Sequence, residues 1–289
     1  MEAINKRWTQ RLTQIVLVSV GMFCGLANAQ IFDLKTRAPL SADMLAKKLQ
    51  GADLILLGEL HDNPHHHHAR AQLINLLHEA PRTVVAEHLS AASSVTFADS
   101  TLRSLESAGF NAQAWGWPLH APLFNALRAN GSPVIGGNLP KGFSREIFKN
   151  RQHAFSEQAL RIYQQATLTN TARETLDQDL INGHCGQLPE QYLEPMRMVQ
   201  RATDISLATE LIKNKPALLI AGNGHVRKDY GVPQVLAARD PALKITSVGF
   251  YEQHGDTLEQ LQSLSEKYDF VWFTEPAQRE NPCENFTLK

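Results

Sequence analysis

Cysteine is scarce in this 289-residue chain: there are three, and none stands in the C-x-x-C-H pattern that tethers a covalent cofactor. There is no Gly-x-Ser-x-Gly elbow, so serine-nucleophile chemistry of the α/β-hydrolase kind finds no support. Neither sign of charge is in excess, with 28 basic against 29 acidic residues. That balance leaves no electrostatic footprint for nucleic acid. Beyond the first thirty residues no apolar run approaches the length of a membrane span. Tandem repeats and Gly/Ser-rich linkers are missing too, and the only biased tract is four consecutive histidines, His65 to His68.

The opening residues read as a targeting segment. Lys6, Arg7 and Arg11 form a positive head, Ile15 to Leu26 is apolar, and Ala27-Asn28-Ala29 puts small residues just before Gln30. The apolar stretch is too short to cross a bilayer, so the pattern predicts a signal peptide over 1–29, cleaved after Ala29. Lipid attachment at Cys24 wants small residues before it, and Met22-Phe23 stand there instead. The expected product is one periplasmic or secreted α/β domain over 30–289. Without Glu2, Lys6, Arg7 and Arg11 it carries 25 basic and 28 acidic residues. Its two cysteines, Cys185 and Cys283, are expected to pair in an oxidising compartment and to tie the carboxyl-terminal tail onto the body.

Apolar runs punctuated by turn residues predict strands at Asp53–Gly58, Thr83–Glu87, Pro133–Gly137, Ala217–Gly222, Lys244–Phe250 and Phe270–Thr274. Helical periodicity marks a segment from Ser41, as cap, to Gln50, and another from Pro64 to His78. It recurs at Pro122–Ala129, Glu157–Ala166, Pro189–Asn214, Pro233–Ala238 and Thr257–Tyr268. Such alternation predicts a mostly parallel central sheet with helices on both faces. The block from about 143 to 214 holds no strand candidate and reads as a helical insertion between the two halves.

Two of these strands end alike, at Gly58-Glu59-Leu60-His61 and at Gly222-Asn223-Gly224-His225. Ligands of open α/β sheets sit beyond the carboxyl ends of the strands, so both histidines should reach one crevice. Glu59 and His61 would share a direction there, able to bind a metal, share a proton or hold a polar ligand. Glu87 and His88 end the second strand, and the Glu87 carboxylate adjoins Glu59 if those strands are neighbours. Of the histidine run, one or two members can line the crevice, and His65 and His68 share a helix face. Asn223 adds a polar group to the pocket, the glycines beside it allow close backbone approach, and Arg227 and Lys228 suit an anionic group.

Gly58-Glu59-x-His61-Asp62-Asn63-Pro64-x-His66-His67 resembles the amino-terminal signature of the ChaN family of haem-binding proteins. His184-Cys185-Gly186-x-Leu188-Pro189, Gln200-Arg201-x-x-Asp204 and Gly222-Asn223-Gly224-His225-Val226-Arg227-x-Asp229-x-Gly231-Val232-Pro233 are similar to its later blocks. So are Trp117-Pro118-Leu119, Asn138-Leu139-Pro140 and the ending from Trp272-Phe273-Thr274 to Pro282-Cys283. The resemblance implies a secreted haem-binding protein of bacterial iron uptake. Such proteins are often anchored to the outer membrane by lipid, and they can dimerise around stacked haems and serve transport components. The wider superfamily includes Tiki and TraB proteins and erythromycin esterases, some of them hydrolases.

The resemblance also implies a tyrosine on the iron, and Tyr163, Tyr192 and Tyr230 are candidates by position. Tyrosinate is a sound ligand for ferric haem. His66 and His67, from the signature, are further haem candidates, and Arg227 or Lys228 would meet the propionates. Three readings follow. In the leading one, a periplasmic protein holds haem non-covalently in the crevice between the sheet rim and the insertion. The rival is a hydrolase, metal-assisted or metal-free, working with Glu59, His61, Glu87 and His225 and taking a divalent metal on them in the first case. The third is a partner-binding module that has kept only the fold, against which the intact Glu-x-His and Gly-x-x-His elements argue.

Overall fold

The computed structural model describes residues 30–78, 82–284 and 286. The expected signal peptide, its cleavage point and Cys24 lie outside the described residues. Nine strands form one sheet: β1 (Gln30–Asp33), β2 (Pro39–Leu40), β3 (Leu54–Leu57), β4 (Thr83–Ser90), β5 (Ser94–Val95), β6 (Val134–Asn138), β7 (Ala217–Ile220), β8 (Ile245–Glu252) and β9 (Phe270–Thr274). Their order is β2-β1-β9-β8-β3-β7-β4-β6-β5. The six strands from β9 to β6 are mutually parallel, while β1, β2 and β5 run antiparallel to their neighbours.

The helices are α1 (Ala42–Leu49), α2 (Pro64–Leu76), α3 (Thr101–Ser107), α4 (Ala121–Ala129), α5 (Phe143–Asn150), α6 (Glu157–Gln165), α7 (Asn170–Gly183), α8 (Glu190–Lys213), α9 (Asn223–Val226), α10 (Val232–Arg239) and α11 (Thr257–Leu264). β3 and β7 are apolar at every position because both of their faces are covered. Side chains alternate across a strand, which divides the core in two. Ile55, Leu57, Val84, Ala86, Leu218 and Ile220 pack beneath α1, α2, α3 and α4. Leu54, Leu56, Val85, Ala217 and Leu219 pack against α8, α10 and α11 on the other face.

The expected fold class is the one observed. The stretch from α5 to α8 contains no strand, but α8 is more than a lid. Its Ile205, Leu207, Ala208 and Leu211 are buried against the sheet, so this helix is the crossover that covers one face between β6 and β7. A disulfide joins Cys185, after α7, to Cys283 in the tail.

Candidate functional site

The period-2 alternation decides how the rim is populated. Ile55 and Leu57 face the α2 and α4 layer, and continuing the count past β3 puts Glu59 on that side. On β4, Ala86 faces the same layer and Val85 the opposite one, so the adjacent Glu87 and His88 part company. His88 joins Glu59, while Glu87 turns toward α8. The sequence suggested Glu87 beside Glu59 on neighbouring strands. β7 lies between those strands, and the carboxylates point to opposite faces of the sheet.

Glu59 is 1% exposed and has a crowded shell. Its Oε1 accepts from His61 Nδ1 at 2.6 Å and stands 3.3 Å from His88 Nε2 and 3.4 Å from His120 Nε2, at the N-cap of α4. Oε2 is paired with the Arg70 guanidinium and lies 3.2 Å from His67 Nδ1. Arg70 donates to His67 Nδ1 at 2.9 Å, and His67 Nε2 donates to the His61 carbonyl at 3.0 Å. Trp115 covers His61 and His88, with ring centroids 5.1 and 4.4 Å away.

The start of α2 builds this shell. Asn63 caps it by accepting from the His65 and His66 amides, and Pro64 takes the first helical position. It is His66 and His67 that turn inward, not the His65 and His68 pair, because they share a face with Arg70 and Leu73. His66 Nδ1 accepts from the Leu60 amide at 2.9 Å and so props the strand-to-helix loop. Burial pulls His66 down to about 3 and His67 down to about 4. It lowers His88 and His120 as well, far below the ordinary histidine value. These are neutral imidazoles at physiological pH, and His66 and His67 are enclosed supports with no open face.

A second cluster occupies the α8 side. Glu87 Oε2 accepts from the Gly222 amide at 2.7 Å, and its Oε1 lies 3.5 Å from His225 Nε2. His225 Nδ1 donates to Asp204 of α8 at 2.7 Å. Burial pulls the imidazole down, but Glu87 and then Asp204 outweigh it and raise His225 to about 10. Burial likewise pushes the Glu87 carboxyl up, and the charge and hydrogen bond of His225 more than reverse that, holding it far below the ordinary value. An imidazolium between two carboxylates has spent both N–H groups and has no lone pair for a metal or an iron. The four residues of the hydrolase reading are thus split into Glu59 with His61 and Glu87 with His225.

His61, with its side chain 46% exposed, bridges the two clusters. It fits because Gly222 lacks a side chain: a Cβ there would sit 2.9 Å from His61 Nε2 and 3.7 Å from Glu87 Oε2. Asn223 clamps the rim by donating to the Phe250 carbonyl at 2.5 Å and accepting from its amide at 3.1 Å. A Cβ on Gly58 would overlap the Asn223 amide oxygen and lie 2.9 Å from Val226. Since Asn223 is pinned at both ends, Gly58→Ala is expected to cost about 1–3 kcal/mol of stability, read from the midpoint of urea unfolding. A midpoint unchanged from wild type would mean that the clamp yields.

The other candidates lie apart from this rim. Arg227 is taken up by Asp179 at 2.6 Å and Asp229 at 2.9 Å. Lys228 reaches Asp269 at 2.8 Å, beside the amino-terminal end of β9. Both cations proposed for propionates are therefore already paired. Tyr230 is buried and donates to Asp179 at 2.8 Å. Tyr163, on α6, packs on Phe155 just before that helix, and Tyr192 stands on the first turn of α8, 41% exposed. Sequence reasoning gave no role to His88, His120 or Arg70. A signal existed for Arg70, a charged residue one helical step from two histidines on a face that is otherwise apolar.

No curated protein matches the chain. Among solved structures, ChaN of Campylobacter jejuni with cofacially bound haem is 20% identical and superposes with a TM-score of 0.69, covering 84% of this chain and 96% of that one. A Bacillus cereus protein, 12% identical, has a TM-score of 0.42 over 82% of this chain and 92% of its own. The type III effector HopBA1, 13% identical, has a TM-score of 0.43 over 82% and 94%. The profile described as haem-binding uptake, Tiki superfamily, ChaN matches residues 45–236, which include both Gly-x-x-His elements and the helical insertion. On that match, the chain belongs to the ChaN family of haem-binding uptake proteins in the Tiki superfamily.

Proposed function

We propose that this protein acts outside the cytoplasm in bacterial haem uptake and holds haem non-covalently against its helical insertion, with tyrosinate from Tyr163 or Tyr192 on the iron. Family membership supports the ligand, and the state of the five tyrosine hydroxyls supports the assignment. Tyr230 is spent on Asp179, while Tyr251 and Tyr268 bond each other at 2.8 Å and Tyr268 also donates to the Asn223 carbonyl. Burial raises all three above the ordinary tyrosine value, which opposes the tyrosinate a ferric ion needs. Among the described residues, only Tyr163 and Tyr192 keep uncommitted hydroxyls, and both belong to the insertion.

An apolar hollow of about 480 Å³ opens between α5, α6 and α8, lined by Leu139, Phe143, Phe155, Ile162 and Ile205. Such a lining suits a porphyrin face; neither tyrosine lines the hollow itself, and Tyr163 adjoins it through Phe155, on which it packs. An exposed haem on this side also favours two copies meeting face to face, as the cofacial haems of the Campylobacter jejuni protein suggest.

Hemin titration of the processed protein, followed by absorption and sedimentation, tests the reading. Wild type is expected to shift the Soret band, and the Tyr163→Phe/Tyr192→Phe double variant to lose the shift. The assignment falls if the double variant binds hemin as wild type does, and the function falls if wild type gives no shift at all.

A further inference from the structure

The Glu59 cluster is not used by the haem reading, yet it is the most densely functionalised point in the molecule. Ligand atoms of Glu59, His61, His88 and His120 all lie within 4.8 Å of one another. Three of these residues are buried and the fourth, His61, opens to solvent. Ligand atoms at the corners of a zinc tetrahedron are about 3.4 Å apart, given bonds of about 2.0–2.2 Å. The separations of Glu59 Oε1 from His88 Nε2 and His120 Nε2 are 3.3 and 3.4 Å, too long for strong hydrogen bonds and right for two such edges.

Independent of that spacing, His88 is fully buried and neither of its ring nitrogens has a hydrogen-bond partner. Groups buried in this condition call for an explanation, and a bound ion is one. The surroundings also suit a cation. Arg70 holds Glu59 Oε2 and leaves Oε1 turned toward the imidazoles, the orientation a supporting partner gives a ligating carboxylate. Trp115 closes the cluster over His88, so His61 is the path by which an ion enters.

We infer that Glu59 Oε1, His88 Nε2 and His120 Nε2 form a site for a divalent transition cation of the zinc class, with His61 closing the fourth corner from the solvent side. On binding, His61 gives up its hydrogen bond to Glu59 and carries its ring proton on Nε2. The site differs from the metal set of the hydrolase reading, since Glu87 and His225 are engaged with each other. It is also separate from the insertion tyrosines.

The probe is cobalt(II), added to the haem-free processed protein. Wild type is expected to take up one equivalent with the intense visible bands of four-coordinate cobalt, and zinc(II) should displace it. His88→Ala and His120→Ala should each weaken binding by more than the 10–100-fold that an outer partner costs, while hemin titration stays as in wild type. The two readings therefore fail separately. Wild-type protein with no stoichiometric cobalt or zinc overturns the inference, whether or not the variants fold. Equal binding by His88→Ala overturns it too, as does loss of the bands in His65→Ala/His68→Ala, which would place the ion on the surface run.

Discussion

Replacing Arg70 by methionine is expected to destabilise the protein by about 3–5 kcal/mol, because it strands the Glu59 carboxylate in the core without its cation. Both side chains are fully enclosed, and burial lowers the guanidinium only to about 9, with Glu87 opposing the fall, so it is still a cation at neutral pH. Truncating one partner of a buried pair costs far more than the pair contributes, since the remaining carboxylate must either stay unpaired in the core or take up a proton at a cost. The Glu59→Gln/Arg70→Met double variant should regain most of the loss. Urea unfolding of the two variants provides the check. A single-variant loss under about 1 kcal/mol would show that the pair is not the electrostatic anchor of the rim.

The second large effect belongs to His225. In the folded protein its pKa is raised to about 10, against about 6.5 in an unfolded chain. Its stabilisation is therefore complete below about pH 6.5 and is lost progressively as pH rises through 10. Glu87 has the opposite sign: its depressed value makes its contribution complete above about pH 4.3 and lost as pH falls below that. Asp204, which burial raises above the ordinary carboxylate value, opposes Glu87 on the acid side, so stability due to this cluster should level off at mildly acidic pH and fall on the alkaline side with His225. His225→Gln leaves Glu87 and Asp204 buried without their cation, and about 3–5 kcal/mol should be lost at mildly acidic pH. The gap between variant and wild type should narrow toward pH 10. Thermal melts from pH 5 to pH 10 decide it, and two parallel curves would rule out the imidazolium.

The parallel core was legible because Leu54–Leu57 and Ala217–Ile220 are runs of four apolar residues between turn formers. The capped entry at Asn63-Pro64 was equally plain. β1 escaped notice because Gln30 and Asp33 flank only two apolar residues, and β2 and β5 because two-residue strands carry no periodicity. At the site, the convergence of Glu59, His61, Glu87 and His225 on one rim could be read from their strand-end positions. Their division into two clusters could not, since it depends on β7 lying between β3 and β4. With β7 between, Glu87, on the α8 face of β4, meets His225 from the end of β7 rather than Glu59. His120 sits 61 residues from Glu59, with two helices and two strands between, so only tertiary packing brings the two together. The pairing of Cys185 with Cys283, by contrast, was the expected outcome once one oxidising compartment and two thiols were assumed.

The sheet ends on each side in a strand of only two residues, β2 at one margin and β5 at the other. So short a border offers almost no ladder of free amides and carbonyls on which a foreign strand could align. Among the described residues, each margin therefore offers little backbone for edge-to-edge addition. The face-to-face pair proposed above would thus rest on side-chain surfaces and the ligand between them, not on strand pairing.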